Sequence, residues 1–180
     1  MSDTTPGLKA AVHEIDAHTA GAGWDQPARL YALVDTGDLV RREPGLAEAL
    51  GLVGEPAAGS LTPVEQEVAP QEHLEALLER IVWPADVSGC AAVVERLVLP
   101  PGADAGLPAD GQSAAAYALA HPDRQEVRIV AGATRTGATY CALRLRAHDE
   151  AGSVLTGPDL VPGLLELLVG TLQEEENDDE

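Results

Sequence analysis

Apolar positions along the chain first repeat with the period of a helix. Near the N-terminus they form one stripe three or four residues apart, which ends before Gly21: Leu8, Val12, Ile15 and Thr19. The same spacing predicts a C-terminal helix with an inward face made of Leu164, Leu165, Leu168 and Leu172. Between them we predict a main helix at residues 71–83, a short helix opened by Pro44, and an alanine-rich helical turn at 113–120.

Four other stretches are short, apolar and bounded by turn residues, which is typical of strands. They cover residues 28–35, 90–99, 126–133 and 138–147. The second stretch is apolar on both faces, so we expect it to lie centrally in a sheet. Residues 61–68 fit two interpretations. Thr62 and Glu65 have the spacing of a helix capping box, and an extended segment is the open alternative.

The last two strands form a predicted hairpin, and its register follows from its turn. A two-residue turn at Thr136-Gly137 would put Ile129 opposite Arg144 and mix apolar and charged side chains on one face. A three-residue loop, with Gly137 in the left-handed conformation, keeps the two kinds of side chain apart. We therefore predict Val127–Leu145, Ile129–Leu143 and Ala131–Cys141 on the core face, and Glu126–Arg146 and Arg128–Arg144 on the other.

Together these elements predict an α+β fold of two layers. The sheet is expected to be antiparallel, with four to five strands, and the helices to pack mainly on one of its faces. Residues 1–173 are expected to form a single domain, since this length can bury a sizeable core. The acidic tail at residues 174–180 has nothing to bury and is expected to be disordered.

Each tryptophan is closely followed by a proline where a predicted helix passes into a strand. Trp24 lies three residues before Pro27, and Trp83 directly precedes Pro84. At such a joint an indole can cover the open end of a sheet and donate a hydrogen bond through its N–H. We interpret both tryptophans as structural joints, and we also keep Trp24 as a candidate ligand contact.

The charge of the chain restricts its partners. With 30 acidic and 11 basic side chains, the formal net charge is −19, which repels nucleic-acid phosphates and anionic membranes. The longest apolar run is too short to span a bilayer, and the N-terminal residues lack the pattern of a secretory signal. We therefore expect a cytoplasmic protein with no nucleic-acid or membrane partner.

Asp35, Thr36 and Gly37 resemble the active-site motif of aspartic proteases, in which two aspartates share a proton. The chain departs from that family because Asp38 follows the glycine and no second copy of the motif exists. A homodimer would have to supply the second aspartate. We expect a turn after a strand here and keep a homodimeric aspartic hydrolase acting through Asp35 as an outlying hypothesis.

No other stretch has the pattern of a catalytic, metal or cofactor site. His13 and His18 lie five residues apart, on different faces of the predicted helix, which spoils a shared metal site. Cys90 and Cys141 cannot form a disulfide framework, and both are expected to be small buried apolar residues. We predict no catalytic residue, no metal and no cofactor.

Five of the ten arginines lie between residues 124 and 146. The predicted register puts Arg128, Arg144 and Arg146 on one face of the sheet, where opposed like charges need an anionic group between them. Two sources of that group stay open. Glu95 and Glu126 can supply it within the protein, or it can come from a carboxylate ligand or an acidic partner segment.

Four strings carry a family resemblance: "GWDQPARLYALVDT", "LTPVEQE", "VWPADVSGCAAVVERLVLPP" and "TGPDLVPGLLELL". With them, nearly the whole chain except the acidic tail resembles a family of small actinobacterial proteins of unknown function. The resemblance implies a cytoplasmic, single-domain α+β protein and supplies no catalytic residues. The order of elements is also similar to that of the secretion-chaperone-like fold, a dimeric two-layer arrangement.

These observations favour a non-enzymatic binding or adaptor protein. It would act through an open sheet face or a helix groove on an unknown protein partner, and a homodimer is compatible with the sequence. The alternative is a protein or enzyme that binds a small anionic ligand through Arg128, Arg144 and Arg146, with Trp24 beside them.

Overall fold

One antiparallel sheet of six strands runs through the part of the chain that the computed structural model describes: residues 5–52, 54–69, 72–99, 102, 106, 108 and 111–173. The strands lie in the order β2-β1-β3-β4-β5-β6. Their bounds are β1 Arg29–Asp35, β2 Leu61–Gln66, β3 Gly89–Val98, β4 Gln125–Thr134, β5 Thr139–Leu145 and β6 Leu155–Gly157. The α+β class is as predicted, but the predicted count of four to five strands is wrong. The acidic tail at 174–180 lies outside the described residues.

Helices cover both faces of the sheet, so the predicted two-layer arrangement with helices mainly on one face is wrong. On one face α1 (Thr5–Gly21) packs Leu8 and Val12 against Val93 and Val130. On the other face α4 (Leu74–Leu78) and α6 (Pro162–Thr171) pack against Ile129 and neighbouring residues. The central strands are apolar on both sides, which is why each side needs a cover. The helices are α1 Thr5–Gly21, α2 Thr36–Arg42, α3 Pro44–Ala49, α4 Leu74–Leu78, α5 Gly111–Ala120 and α6 Pro162–Thr171.

The β4–β5 hairpin has the predicted register. The Thr134 backbone N–H donates to the Ala138 carbonyl at 2.9 Å, which continues the pairing of the strands and leaves residues 135–137 as a three-residue loop. Gly137 at its end has a φ of +89°, the left-handed conformation that favours glycine. The charged residues that the prediction assigned to one face lie on the face covered by α1, and the apolar ones face α4 and α6. The pairs observed are Val127–Leu145, Arg128–Arg144, Ile129–Leu143 and Ala131–Cys141.

Residues 61–66 form an edge strand, so the extended alternative for 61–68 is correct and the capping-box helix is not. β2 pairs with β1 through Leu33–Pro63 and Asp35–Leu61. Proline has no backbone N–H and is tolerated at an edge, where one side of the strand needs no partner. The pairing with β1 therefore decides the conformation over the local capping signal.

The helix predicted at residues 71–83 is much shorter in the structure, where α4 spans Leu74–Leu78. The chain then turns so that the backbone N–H of Trp83 donates to the carbonyl of Thr171, 3.1 Å away. The Trp83 indole N–H donates to the Thr171 hydroxyl at 3.0 Å. Contacts with α6 thus replace the remaining turns of the predicted helix, and Trp83 forms a joint as expected.

Candidate functional site

The four residues predicted as ligand contacts lie together at one end of the sheet. Arg128 and Arg144 are neighbours on β4 and β5, and Arg146 follows β5 directly. Trp24 lies in the connection between α1 and β1. The register predicted from the hairpin is sufficient to bring the three arginines together, whereas the position of Trp24 depends on how α1 crosses the sheet.

Arg144 is buried in a bidentate ion pair with Asp16 of α1. The two atom pairs are Nη2–Oδ2 at 2.7 Å and Nε–Oδ1 at 3.2 Å, and each side chain is only 6% exposed. A third bond joins Arg144 Nη1 to Asp149 Oδ1 at 2.9 Å. The Asp16 carboxylate is the main cause that raises the pKa of Arg144. Two opposite charges out of water therefore fix α1 to the sheet.

Arg128 has no exposed surface and stacks on Trp24. Its guanidinium carbon lies 4.4 Å from the centre of the indole, within the range of a cation–π contact. Nη2 donates to the carbonyl of Gly23, but Nε and Nη1 have no hydrogen-bond partner among the described residues. The indole N–H donates to Asp149 at 2.9 Å. This hydrogen bond is the main cause that lowers the pKa of Asp149, and Arg144 lowers the pKa further.

The residues next to Trp24 are held by further charges. Arg146 binds both oxygens of Asp25, at 2.8 and 3.1 Å, and Glu126 at 3.1 Å. Glu95 accepts from the backbone N–H groups of Asp25 and Gln26, at 2.8 and 2.6 Å. These bonds hold Asp25 at a φ of +63°, a conformation that is uncommon for a non-glycine residue.

The cluster carries more negative than positive groups. Around the three arginines lie five carboxylates: Asp16, Asp25, Glu95, Glu126 and Asp149. A small anion would enter a region of net negative charge, which opposes its binding. The contacts fit the internal charge network that the sequence left open, and a ligand role for Arg128, Arg144, Arg146 and Trp24 stays a prediction.

Asp35 forms a helix cap at the turn after β1. Its Oδ1 accepts from the backbone N–H of Asp38 at 3.0 Å, at the N-terminus of α2. The Thr36 backbone N–H donates to the Ser60 carbonyl at 2.9 Å. Aspartate is among the residues preferred at this position because its carboxylate satisfies a free N–H group. The contacts fit the turn expected here.

Replacement of Asp35 by alanine is expected to lower the free energy of unfolding by about 1 kcal/mol, because one N–H of α2 loses its acceptor. Asparagine accepts the same bond, so Asp35→Asn is expected to stay close to the parent protein. Urea unfolding of both variants measures the difference. Equal losses in the two variants would mean that the charge, and not the cap, is what the site requires.

Neither cysteine has the environment of a nucleophile. Cys90 and Cys141 are fully buried, and burial raises the pKa of Cys90 to about 11. A thiol with so high a pKa stays protonated and unreactive at neutral pH. Among the described residues, no group of three or more His, Cys, Asp and Glu side chains has the arrangement of a metal site. No helix in the described part of the chain is long and apolar enough to cross a membrane.

A cleft that the sequence did not indicate lies between α1, α3 and the outer strands β1 and β2. Its volume is about 300 Å³, and Ile15, Tyr31, Pro63 and Val64 form much of its lining. Leu46 of α3 and Leu50, the residue that follows α3, also line it, and they are 42% and 47% exposed. The polar groups that line it are Glu14, His18 and Glu65. The cleft is thus mainly apolar, as small-molecule and anchor sites commonly are.

Tyr31 is the unusual residue of the cleft. The side chain is 5% exposed, and its hydroxyl is buried with no hydrogen-bond partner among the described residues. A buried polar group without a partner costs about 1–3 kcal/mol, and such groups are rare enough to require an explanation. A group that binds in the cleft and pairs with the hydroxyl would supply one.

A larger depression of about 820 Å³ lies on the other side of Glu65 and has a different character. Arg29, Glu65, Glu67 and Glu72 line it, together with Val68 and its neighbours. Arg29 already lies 3.6 Å from Glu65. Charged groups at the surface are well hydrated, so this depression offers a ligand less than the apolar cleft does.

The comparisons with known proteins give one match. A model of the PPA1309-like protein family matches residues 8–173, which includes every strand and all but the first residues of α1. The expected resemblance to a family of uncharacterised proteins is therefore confirmed. Neither the curated proteins nor the solved structures contain a significant match.

Proposed function

The chain belongs to the PPA1309-like protein family, and we propose that it is a non-enzymatic binding protein whose site is the cleft between α1, α3 and the outer strands. One observation carries the proposal: the buried Tyr31 hydroxyl has no partner and belongs to a residue that lines an apolar cleft. Of the two surfaces expected from the sequence, a groove beside a helix fits this geometry. An open sheet face fits less well, because helices cover both faces.

The chemistry of the lining supports binding more than catalysis. Leu46, Leu50, Ile15 and Val64 offer apolar contact area, whose removal from water drives association. The Tyr31 hydroxyl is buried and unpaired among the described residues, and we expect it to gain a hydrogen bond when a polar group of the ligand enters the cleft. A volume of about 300 Å³ is at the lower end of the range for small-molecule pockets, which suits one or two side chains or a small amphipathic molecule.

Titration with Nile red, an uncharged apolar dye, tests whether the cleft binds apolar groups. We expect saturable binding, and about tenfold weaker binding when Leu46 and Leu50 are both changed to serine, because the rim loses two large apolar contacts. Leu155→Ser is the matched control, since Leu155 is 59% exposed and lies on β6 at the opposite edge of the sheet. Equal weakening by the control variant would contradict a site in the cleft.

Tyr31→Phe gives a second readout that does not depend on a ligand. Removal of an unpaired buried hydroxyl is expected to raise the free energy of unfolding by about 1 kcal/mol. A residue kept for binding at a cost in stability behaves in this way. A clear loss of stability in Tyr31→Phe would mean that the hydroxyl is satisfied within the protein, and the observation behind the proposal would fail.

A small anionic ligand at Arg128, Arg144 and Arg146 is the second candidate, and the two unpartnered nitrogen atoms of Arg128 favour it. Titration of the protein with inorganic phosphate tests it. Arg146→Ala is the suitable variant, because Arg146 is 38% exposed and its loss leaves the buried Arg144 pair intact. Weaker phosphate binding by Arg146→Ala than by the parent protein would support this candidate. A calorimetric titration of the parent protein that shows no heat of binding would exclude phosphate as the ligand.

The remaining expectations stay part of the proposal. They are a cytoplasmic location, an actinobacterial origin of the family, and a homodimer. The analogy with the secretion-chaperone-like fold receives no support from the arrangement of layers, because helices lie on both faces of this sheet.

A further inference from the structure

We infer that the occupant of the cleft is a basic segment of a partner protein that inserts apolar side chains between α1 and α3. The inference rests on the proposed binding function of the cleft and names its ligand by charge and shape. It depends on two properties of the described residues: the carboxylates that flank the apolar lining, and the charge of the whole chain.

The two carboxylates at the cleft are exposed and have at most one distant ion-pair partner among the described residues. Glu14 on α1 makes no ion pair with any described residue. Glu65 on β2 is 49% exposed, and its cation, Arg29, lies at 3.6 Å, a length at which a surface pair contributes little. Glu14 and Glu65 therefore offer two negative groups to a ligand that carries lysine or arginine beside its apolar side chains.

The charge of the chain disfavours acidic occupants of the cleft. With a net charge of −19, a second copy of this chain bound in the cleft would add negative charge next to Glu14 and Glu65, which opposes its binding at this place. It also steers cationic partners toward the protein and raises their rate of association. A basic partner gains from both the long-range field and the local carboxylates.

The size of the cleft favours an anchored segment. Leu46 and Leu50 leave a large part of their surface exposed, so a partner can extend past the rim and still cover apolar area. Interfaces of this kind obtain most of their affinity from one or two buried anchors in a pocket, with polar contacts around them. The Tyr31 hydroxyl then has a polar tip or a backbone carbonyl of the anchor as its partner.

A pair of synthetic peptides tests the inference. Both carry leucine at the same positions of a twelve-residue helix, and the remaining positions are lysine in one and glutamate in the other. We expect fluorescence anisotropy at near-physiological salt to detect binding of the lysine peptide only. Leu46→Ser with Leu50→Ser should weaken it about tenfold, and Glu14→Gln with Glu65→Gln about threefold to tenfold, as two surface ion pairs would.

Matched controls separate the cleft from diffuse attraction to an acidic protein. Leu155→Ser removes an exposed leucine elsewhere, and Glu79→Gln removes an exposed carboxylate after α4 on the other face of the sheet. Both should change the affinity less than twofold. Weakening by the controls equal to that by the cleft variants would overturn the inference. Nile red binding in the cleft without peptide binding would also overturn it, while leaving the proposed binding function intact.

Discussion

Replacement of Arg144 by methionine is expected to destabilise the protein by about 3–5 kcal/mol, because it leaves a buried carboxylate without its counter-ion. The reason is the state of Asp16, which is 6% exposed and takes two of its hydrogen bonds from Arg144. Without the guanidinium its carboxylate is a buried charge with no counter-ion. Urea unfolding followed by circular dichroism measures the loss.

A double replacement distinguishes the cost of an orphaned charge from the value of the pair. Asp16→Leu combined with Arg144→Met removes both charges and should recover most of the lost stability, because apolar residues of similar size are tolerated where an ion pair is buried. Arg146→Met is the control. Arg146 is 38% exposed, and its partner Asp25 is 74% exposed, so its loss should cost less than about 1 kcal/mol. If Arg144→Met itself cost less than about 1 kcal/mol, as expected for an exposed pair, water would have to solvate Asp16 once the pair is broken.

Replacement of Arg135 by methionine is expected to cost about 2 kcal/mol, equivalent to about 4–8 °C in melting temperature for a chain of this size. Arg135 has no carboxylate partner among the described residues. Its guanidinium donates to the carbonyls of Val87 at 2.7 Å, Pro84 at 2.8 Å, Trp83 at 3.0 Å, and Leu172. It thereby fastens the turn after α4 to the end of α6.

Lysine at position 135 is expected not to rescue this loss. A single ammonium group cannot reach carbonyls that surround a planar guanidinium on several sides. Arg124→Met serves as the control, because Arg124 is exposed and donates to one carbonyl, that of His121. Differential scanning calorimetry compares the three variants. Retention of the parent melting temperature by Arg135→Lys would show that charge alone, and not the shape of the donor group, holds this turn.

The elements with strong periodicity could be predicted from the sequence. The sequence repeats four residues at helical spacing, and all four lie on the buried face of α1: Leu8, Val12, Ile15 and Thr19. The hairpin register followed from one glycine and from the rule that charged and apolar side chains do not share a buried face. In both cases the information lies within a few neighbouring residues, so no distant partner has to be known.

The parts that failed depend on contacts between distant residues. Residues 61–66 carry a local helix signal, and only the pairing with β1 makes them a strand. The helix predicted at residues 71–83 is shorter in the structure because Trp83 and Arg135 bind the end of α6. Thr171, the partner of Trp83, lies 88 residues later in the chain. Three-residue β6 is too short for any periodicity to reveal. The central strands, apolar on both faces, did contain the signal for a third layer.

The candidate site also has one part that the local sequence predicts and another that depends on distant contacts. The hairpin register brings the arginines together, but their partners Asp16 and Asp149 are set by the crossing of α1 and by the turn after β5. Asp16 did carry a signal, since it follows Val12 by four residues and so lies on the buried face of α1. The cleft needs α1, α3 and β2 in place at once. No single stretch of sequence contains that arrangement.

The positions of the two cysteines make the protein its own reporter of partial opening. Cys90 and Cys141 are the only thiols of the chain, and both face the layer formed by α4 and α6, with no exposed surface. The layer under α1 contains none. A thiol reagent under native conditions therefore reports openings of the layer formed by α4 and α6, and at saturating reagent concentration it labels at the rate of those openings, while it is blind to fluctuations of α1 alone. Mass spectrometry of the labelled protein would thus time the motion of one layer without any engineered probe.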